Sequence, residues 1–189
     1  MAEVRADQRG LLQEGLALSV TDELLGSAEA WASSFEPTLR TPRPARGVAV
    51  VACMDARLDL FGILGLKPGD AHLIRNAGGI PTDDALRSLA LSQRALGTRE
   101  IVVLHHTECG MHNFDDTAFR AELAADSGVE PDWDVPGFSD VRAQVRESLE
   151  TLRTCAWLPH RDDVRGFVFD VASARLEEVT SAQGEDALS

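Results

Sequence analysis

Two β-branched runs, VAVVA at residues 48–52 and IVVLHH at 101–106, lead directly into Cys53 and end on His106, with an amphipathic stretch between them. Runs this short and this rich in valine and isoleucine read as buried strands rather than helices. Between them, DDALRSLALSQRAL has Thr82 as an N-cap and Gly97 as a stop, and its Leu86, Leu89, Ala90 and Leu96 suit a helix lying across a sheet. AHLIRNAGG reads as a further strand feeding a glycine-containing loop, and a helical turn is expected around Leu58–Leu64. TDELLGSAEAWASSF predicts a helix capped by Thr21, with Leu24, Ala28, Trp31 and Phe35 near one face. DDTAFRAELAADSG predicts a short helix, and SDVRAQVRESLETLRT a longer one with Val141, Val145, Leu149 and Leu152 on related turns. GFVFDVASARLEEV supplies two more strands, the last at an edge. Strands alternating with amphipathic helices predict an α/β fold, a mainly parallel central sheet flanked by helices, with its chemistry at the C-terminal ends of the strands.

A chain of 189 residues suits one core, which divides the sequence into an N-terminal arm at 1–20, a single catalytic domain at 21–180 and a flexible acidic tail at 181–189. Thirty-one acidic residues against 18 basic ones give a net charge of -13, which disfavours nucleic acid and anionic membranes as partners. Lys67 is the sole lysine, leaving almost no candidate for Schiff-base or P-loop chemistry. No run of ~20 apolar residues is available to span a membrane, and the polar start does not read as a secretory signal, so a cytoplasmic location is expected.

The 3 cysteines, Cys53, Cys109 and Cys155, are odd in number and far apart, which argues against a disulfide framework. Cys53 follows one strand, and HTECG places His106 and Cys109 just after another. Two thiolates and one imidazole suit zinc with an open fourth position, while buried structural cysteines beside an ordinary histidine fit the same spacing. His105 points to the opposite side of the strand from His106, toward core packing. Cys155 reads as a small core residue, and His112 and His160 as surface groups.

CMDAR followed by HTECG, together with RNAGG at 75–79 and the helix beginning near Pro81, resembles the signature of the β-class carbonic anhydrases over about residues 21–179. The resemblance implies zinc held by Cys53, His106 and Cys109, an active-site pair Asp55 and Arg57, and activated water attacking carbon dioxide to give bicarbonate and a proton. Ala56 stands where the family often has serine, a change that touches neither a ligand nor the pair. Arg57 is expected to grip the Asp55 carboxylate in a bidentate pair, and a freed Asp55 to swing onto zinc and close the site. In RNAGG, Asn76, Ala77, Gly78 and Gly79 are expected to let backbone approach the pocket and to orient bicarbonate. The resemblance further implies a homodimer or dimer of dimers, with Trp31 and Phe35 against the neighbouring protomer. Two other activities share the motif: hydrolysis of carbonyl sulfide or carbon disulfide, and a catalytically weak zinc- or bicarbonate-responsive interaction protein.

Overall fold

A computed structural model describes residues 19–35 and 41–180. The predicted arm up to residue 18 and the tail at 181–189 lie outside them. The chain divides into two units, up to Arg40 and from Thr41 onward.

In the first unit, helix α1 (Val20–Ala32) is capped by Ser19 rather than Thr21. Ser19 accepts the Asp22 amide while the Asp22 carboxylate accepts from the Ser19 backbone, a reciprocal box that satisfies two otherwise orphaned donors. Thr21 sits two residues too late to do this and lies inside the first turn. Phe35 falls beyond the helix end, where its ring tilts against Trp31 at 4.7 Å.

The second unit holds a five-stranded sheet in the order β2-β1-β3-β4-β5. β1 (Val48–Cys53), β2 (Ala71–Asn76), β3 (Glu100–His106) and β4 (Val164–Asp170) run parallel, and β5 (Arg175–Val179) closes one edge antiparallel to β4. The helices are α2 (Leu60–Leu64), α3 (Asp83–Arg94), α4 (Asp116–Ser127) and α5 (Val141–Thr154). Both faces of the sheet are covered, which is why β1 reads as an unbroken apolar run. Ala49, Val51, Ile101 and Val103 pack with Leu89 of α3 and Val145, Leu149 and Leu152 of α5. Val50, Ala52 and Leu104, one residue out of phase, pack with Leu58, Leu60 and Phe138 on the other face. Each such aliphatic side chain contributes roughly 1.5–3 kcal/mol when fully buried.

The chain runs from β1 outward to β2, then crosses back to place β3 on the other side of β1. Loops leaving the C-terminal ends of β1 and β3 therefore diverge, the position at which open parallel sheets form a binding crevice.

Candidate metal centre

The same alternation that builds the core sorts the two histidines. His105 shares the phase of Ile101 and Val103, and its Nε2 meets Ser148 Oγ of α5 at 3.2 Å. Its burial holds it neutral, with its pKa pushed down to about 4 and neighbouring His106 adding to the effect. His106 shares the phase of Leu104, turns to the opposite face, and is 1% exposed. Its Nδ1 donates to the Thr107 carbonyl at 2.8 Å, which leaves the Nε2 lone pair free, and that Nε2 is buried with no hydrogen-bond partner.

Cys53 and Cys109 meet that orphaned nitrogen. Their Sγ atoms are 3.9 Å apart, and the three donor atoms all lie within 4.8 Å of one another, each on a buried residue. Two thiols and one inward-facing imidazole with an unsatisfied lone pair form a soft, compact donor set that a divalent metal would complete.

The two thiols differ in acidity. Burial pushes Cys53 up, but the adjacent His106 imidazole and the amides of Asp55 and Gly78 outweigh it and bring the thiol down to about 7. Burial raises Cys109 to about 11, the Met111 amide opposing and the charge of Cys53 adding to the rise. Burial opposes charge on His106 too, yet the Cys53 sulfur and the Thr107 carbonyl raise its pKa overall.

Asp55 and Arg57 stand beside the cluster. Arg57 donates from Nε to Asp55 Oδ1 at 3.0 Å and from Nη2 to Oδ2 at 2.8 Å, the bidentate pairing expected from the spacing. The Asp55 carboxyl is held well below the usual carboxylate range, chiefly by the Arg57 side chain and then by its backbone amide. Asp55 Oδ2 lies 3.8 Å from His106 Nε2, so the carboxylate borders the position a metal would take.

One partner of this pair was not evident from the sequence. Arg57 also donates to the Glu108 carbonyl at 2.9 Å and to its carboxylate at 3.3 Å. Glu108 takes a left-handed conformation, φ 54°, that aims its carbonyl at Arg57. Lying between His106 and Cys109, it ties the loop after β3 to the loop after β1. The only sequence cue is an acidic residue inside the H-x-x-C interval.

The RNAGG loop sits against β1. The Asn76 side chain closes it by accepting the Ile80 amide at 2.9 Å and donating to the Ile80 carbonyl at 2.7 Å. Gly78 and Gly79 are buried, Ala77 partly so, and the Gly78 amide is directed at Cys53 Sγ. Gly79 has φ +70°, and a Cβ there would lie 2.6 Å from the Cys53 nitrogen. Cys155 is half-buried at the end of α5, His112 is exposed and His160 half-buried, all outside the three-residue cluster.

A cavity of about 590 Å³ opens beside the ligands, with His106, Cys109, Phe138 and Val141 among its walls. Cys109 and Phe138 also belong to the apolar cluster that holds Leu58 and Leu104.

The chain is similar to known proteins. The sequence profile described as carbonic anhydrase matches residues 48–176. β-Carbonic anhydrase 1 of Mycobacterium tuberculosis is 47% identical over 163 residues, spanning 86% of this chain and 99% of the relative. A carbon disulfide hydrolase of Acidithiobacillus thiooxidans is 35% identical and spans 69% of this chain and 76% of its own length. The crystal structure of carbonic anhydrase from Streptococcus mutans superposes with a TM-score of 0.80 at 38% identity, covering 87% of this chain and all (100%) of that one. With the family profile falling on the strands and loops that assemble Cys53, His106 and Cys109, and a relative matched along nearly its whole length, this chain belongs to the β-carbonic anhydrase family.

Proposed function

We propose that this protein catalyses the reversible hydration of carbon dioxide to bicarbonate and a proton, using zinc held by Cys53, His106 and Cys109. The observation that carries the reading is the buried, unpartnered His106 Nε2 facing two cysteine sulfurs, with the Asp55 carboxylate at its side. Zinc in such a site supplies a Lewis acid that brings the pKa of water to near neutrality.

The chain's own residues do the rest. Two thiolates and a neutral imidazole sum to a charge that cancels a divalent ion, and Thr107 fixes the imidazole tautomer. Arg57 keeps Asp55 ionised and aimed at the open side of the cluster, where the carboxylate accepts a hydrogen bond from a reacting water and so orients its lone pair, without taking the proton. Asn76, Ala77, Gly78 and Gly79 support Cys53 and are proposed to orient the bicarbonate anion through backbone amides. Carbon dioxide is small and neutral, so an apolar wall such as Phe138 suffices for it and the chain's acidity does not hinder approach. The proton leaves through water and buffer.

Hydrolysis of carbon disulfide or carbonyl sulfide is the second reading. It is weaker, because the relative named for carbon disulfide matches at 35% identity over 76% of its length, against 47% over 99% for the carbonic anhydrase.

The proposal includes a cytoplasmic location and a homodimer or dimer of dimers. Cys53 and Cys109 must stay reduced to bind metal, which a cytoplasm favours, and among the described residues no helix is long and apolar enough to cross a membrane. Val20, Leu24, Leu25 and Trp31 of α1 are exposed apolar residues of the kind a second protomer covers. Kinetics on carbon dioxide and carbon disulfide side by side, with metal analysis and sedimentation of the same sample, test these points together.

A further inference from the structure

β1 ends at Cys53, and the next two residues leave the sheet carrying Asp55 into the site. Nothing in ordinary strand pairing fixes such an exit, yet here neighbouring β2 holds it at three points. The Met54 amide donates to the Asn76 carbonyl at 2.9 Å. Arg75 then reaches over from the register position opposite Ala52 and donates from Nε to the Cys53 carbonyl at 3.0 Å and from Nη2 to the Asp55 carbonyl at 2.7 Å. One guanidinium thus bridges the carbonyls on either side of Met54, whose side chain projects into solvent.

With that bridge in place, the carbonyl and the carboxylate of Asp55 are both held. Its carbonyl accepts from Arg75 and from the Leu58 amide at 3.0 Å, and its carboxylate is gripped by Arg57. The two arginines divide the work. Arg57 fixes the side chain of Asp55, and Arg75 fixes the backbone from which both the Cys53 thiolate and the Asp55 carboxylate project. An arginine is required because two carbonyls two residues apart must be met at once by a planar fork, whereas a lysine ammonium is a compact point donor.

We propose that Arg75 is a positioning residue of the metal centre, setting the separation between the Cys53 sulfur and the Asp55 carboxylate without touching metal or substrate. The proposal deepens the carbonic anhydrase reading and rests on it for its kinetic consequence. A misplacement of about 1 Å in a reacting group costs on the order of 10²-fold in rate.

The test compares the unsubstituted protein with Arg75→Ala and Arg75→Lys, each loaded with zinc for kinetics and with cobalt(II) for absorption spectra. The expected result for Arg75→Ala is one zinc per chain, a kcat for carbon dioxide lowered by roughly 10- to 100-fold, and cobalt bands shifted in position. Added guanidinium ion at low, non-denaturing concentration should restore part of the rate, and Arg75→Lys should lie between the other two. An unchanged cobalt spectrum and kcat in Arg75→Ala would overturn the proposal, as would a loss of rate wholly accounted for by lost zinc. If Arg75→Ala does not fold, the spectrum of Arg75→Lys decides, an unchanged one counting against the clamp. Should the unsubstituted zinc protein hydrate no carbon dioxide, the functional reading falls by itself, and the cobalt spectra still decide the role of Arg75.

Discussion

Arg57 grips both oxygens of Asp55, with Nε 3.0 Å from Oδ1 and Nη2 2.8 Å from Oδ2, while its remaining reach is taken up by Glu108. The carboxylate is thereby turned away from direct ligation even though Oδ2 lies 3.8 Å from His106 Nε2. Arg57→Ala removes the grip and leaves Asp55 free to move onto the metal. We expect turnover to fall by roughly 10- to 100-fold with zinc retained. In the metal-free variant, carbon-detected NMR of the Asp55 carboxyl should show its pKa rising toward the ordinary value of 3.8. Normal turnover with an unmoved carboxyl titration would contradict the role given to the pair.

The thiol acidities make a prediction for metal-free protein. In a Cys155→Ala background, Cys53 should ionise near pH 7 and Cys109 near 11, giving two separated steps in thiolate absorbance. The stability consequence for Cys109 follows in sign. Its folded pKa lies above its unfolded value, so between pH 9 and 11 the unfolded chain has shed a proton that the folded chain still holds, and this residue's contribution falls as pH rises through that window. Zinc should abolish the upper step, because ligation requires the thiolate, and loading at neutral pH should release protons measurable by calorimetry in buffers of different ionisation enthalpy.

His106→Ala and Cys109→Ala should each remove a buried donor and lose zinc affinity by more than the roughly 10- to 100-fold that loss of an outer hydrogen-bond partner costs. The metal-free fold should persist, since the core on the face of the sheet covered by α3 and α5 is formed by other residues. Competition with a chromophoric chelator measures the affinity, and unchanged zinc stoichiometry would reject the ligand set.

Two glycines separate support of the site from support of the core. At Gly79 an added Cβ meets backbone, 2.6 Å from the Cys53 nitrogen and 2.8 Å from the Ala52 carbonyl carbon, at φ +70°. At Gly166 it meets Val145 Cγ1 at 2.4 Å and Leu149 Cδ1 at 3.1 Å, between β4 and α5. Each alanine substitution should destabilise by about 1–3 kcal/mol in a denaturant titration. Only Gly79→Ala should also weaken zinc binding, because only there does the displaced backbone carry a ligand. Equal zinc affinity in the two variants would refute that distinction.

The strands and their parallel arrangement were legible because each rests on local chemistry, whereas spacing alone left Cys53, His106 and Cys109 open between a metal site and core packing, and only the family resemblance joined them. β-branched runs mark β1 and β3, strand alternation separates His105 from His106, and the His106–Cys109 interval fits a single turn. The Asp55–Arg57 pair was legible for the same reason, being two residues apart. Glu108 and Arg75 were not, since their partners lie on other strands or loops and depend on register and on one left-handed residue, neither of which has a compositional signature. The cap of α1 was misplaced by two residues because Thr21 and Ser19 are both good capping types, and only the reciprocal bond to Asp22 distinguishes them.

The central claim is that Cys53, His106 and Cys109 hold a zinc ion used to hydrate carbon dioxide. Stopped-flow measurement of carbon dioxide hydration on protein carrying one zinc per chain, from neutral to alkaline pH, tests it most directly, with Cys109→Ala as the control. The account predicts a rate well above buffer that rises with pH and disappears in the control. Zinc-replete protein with no rate above buffer, or equal rates in the control, would contradict it.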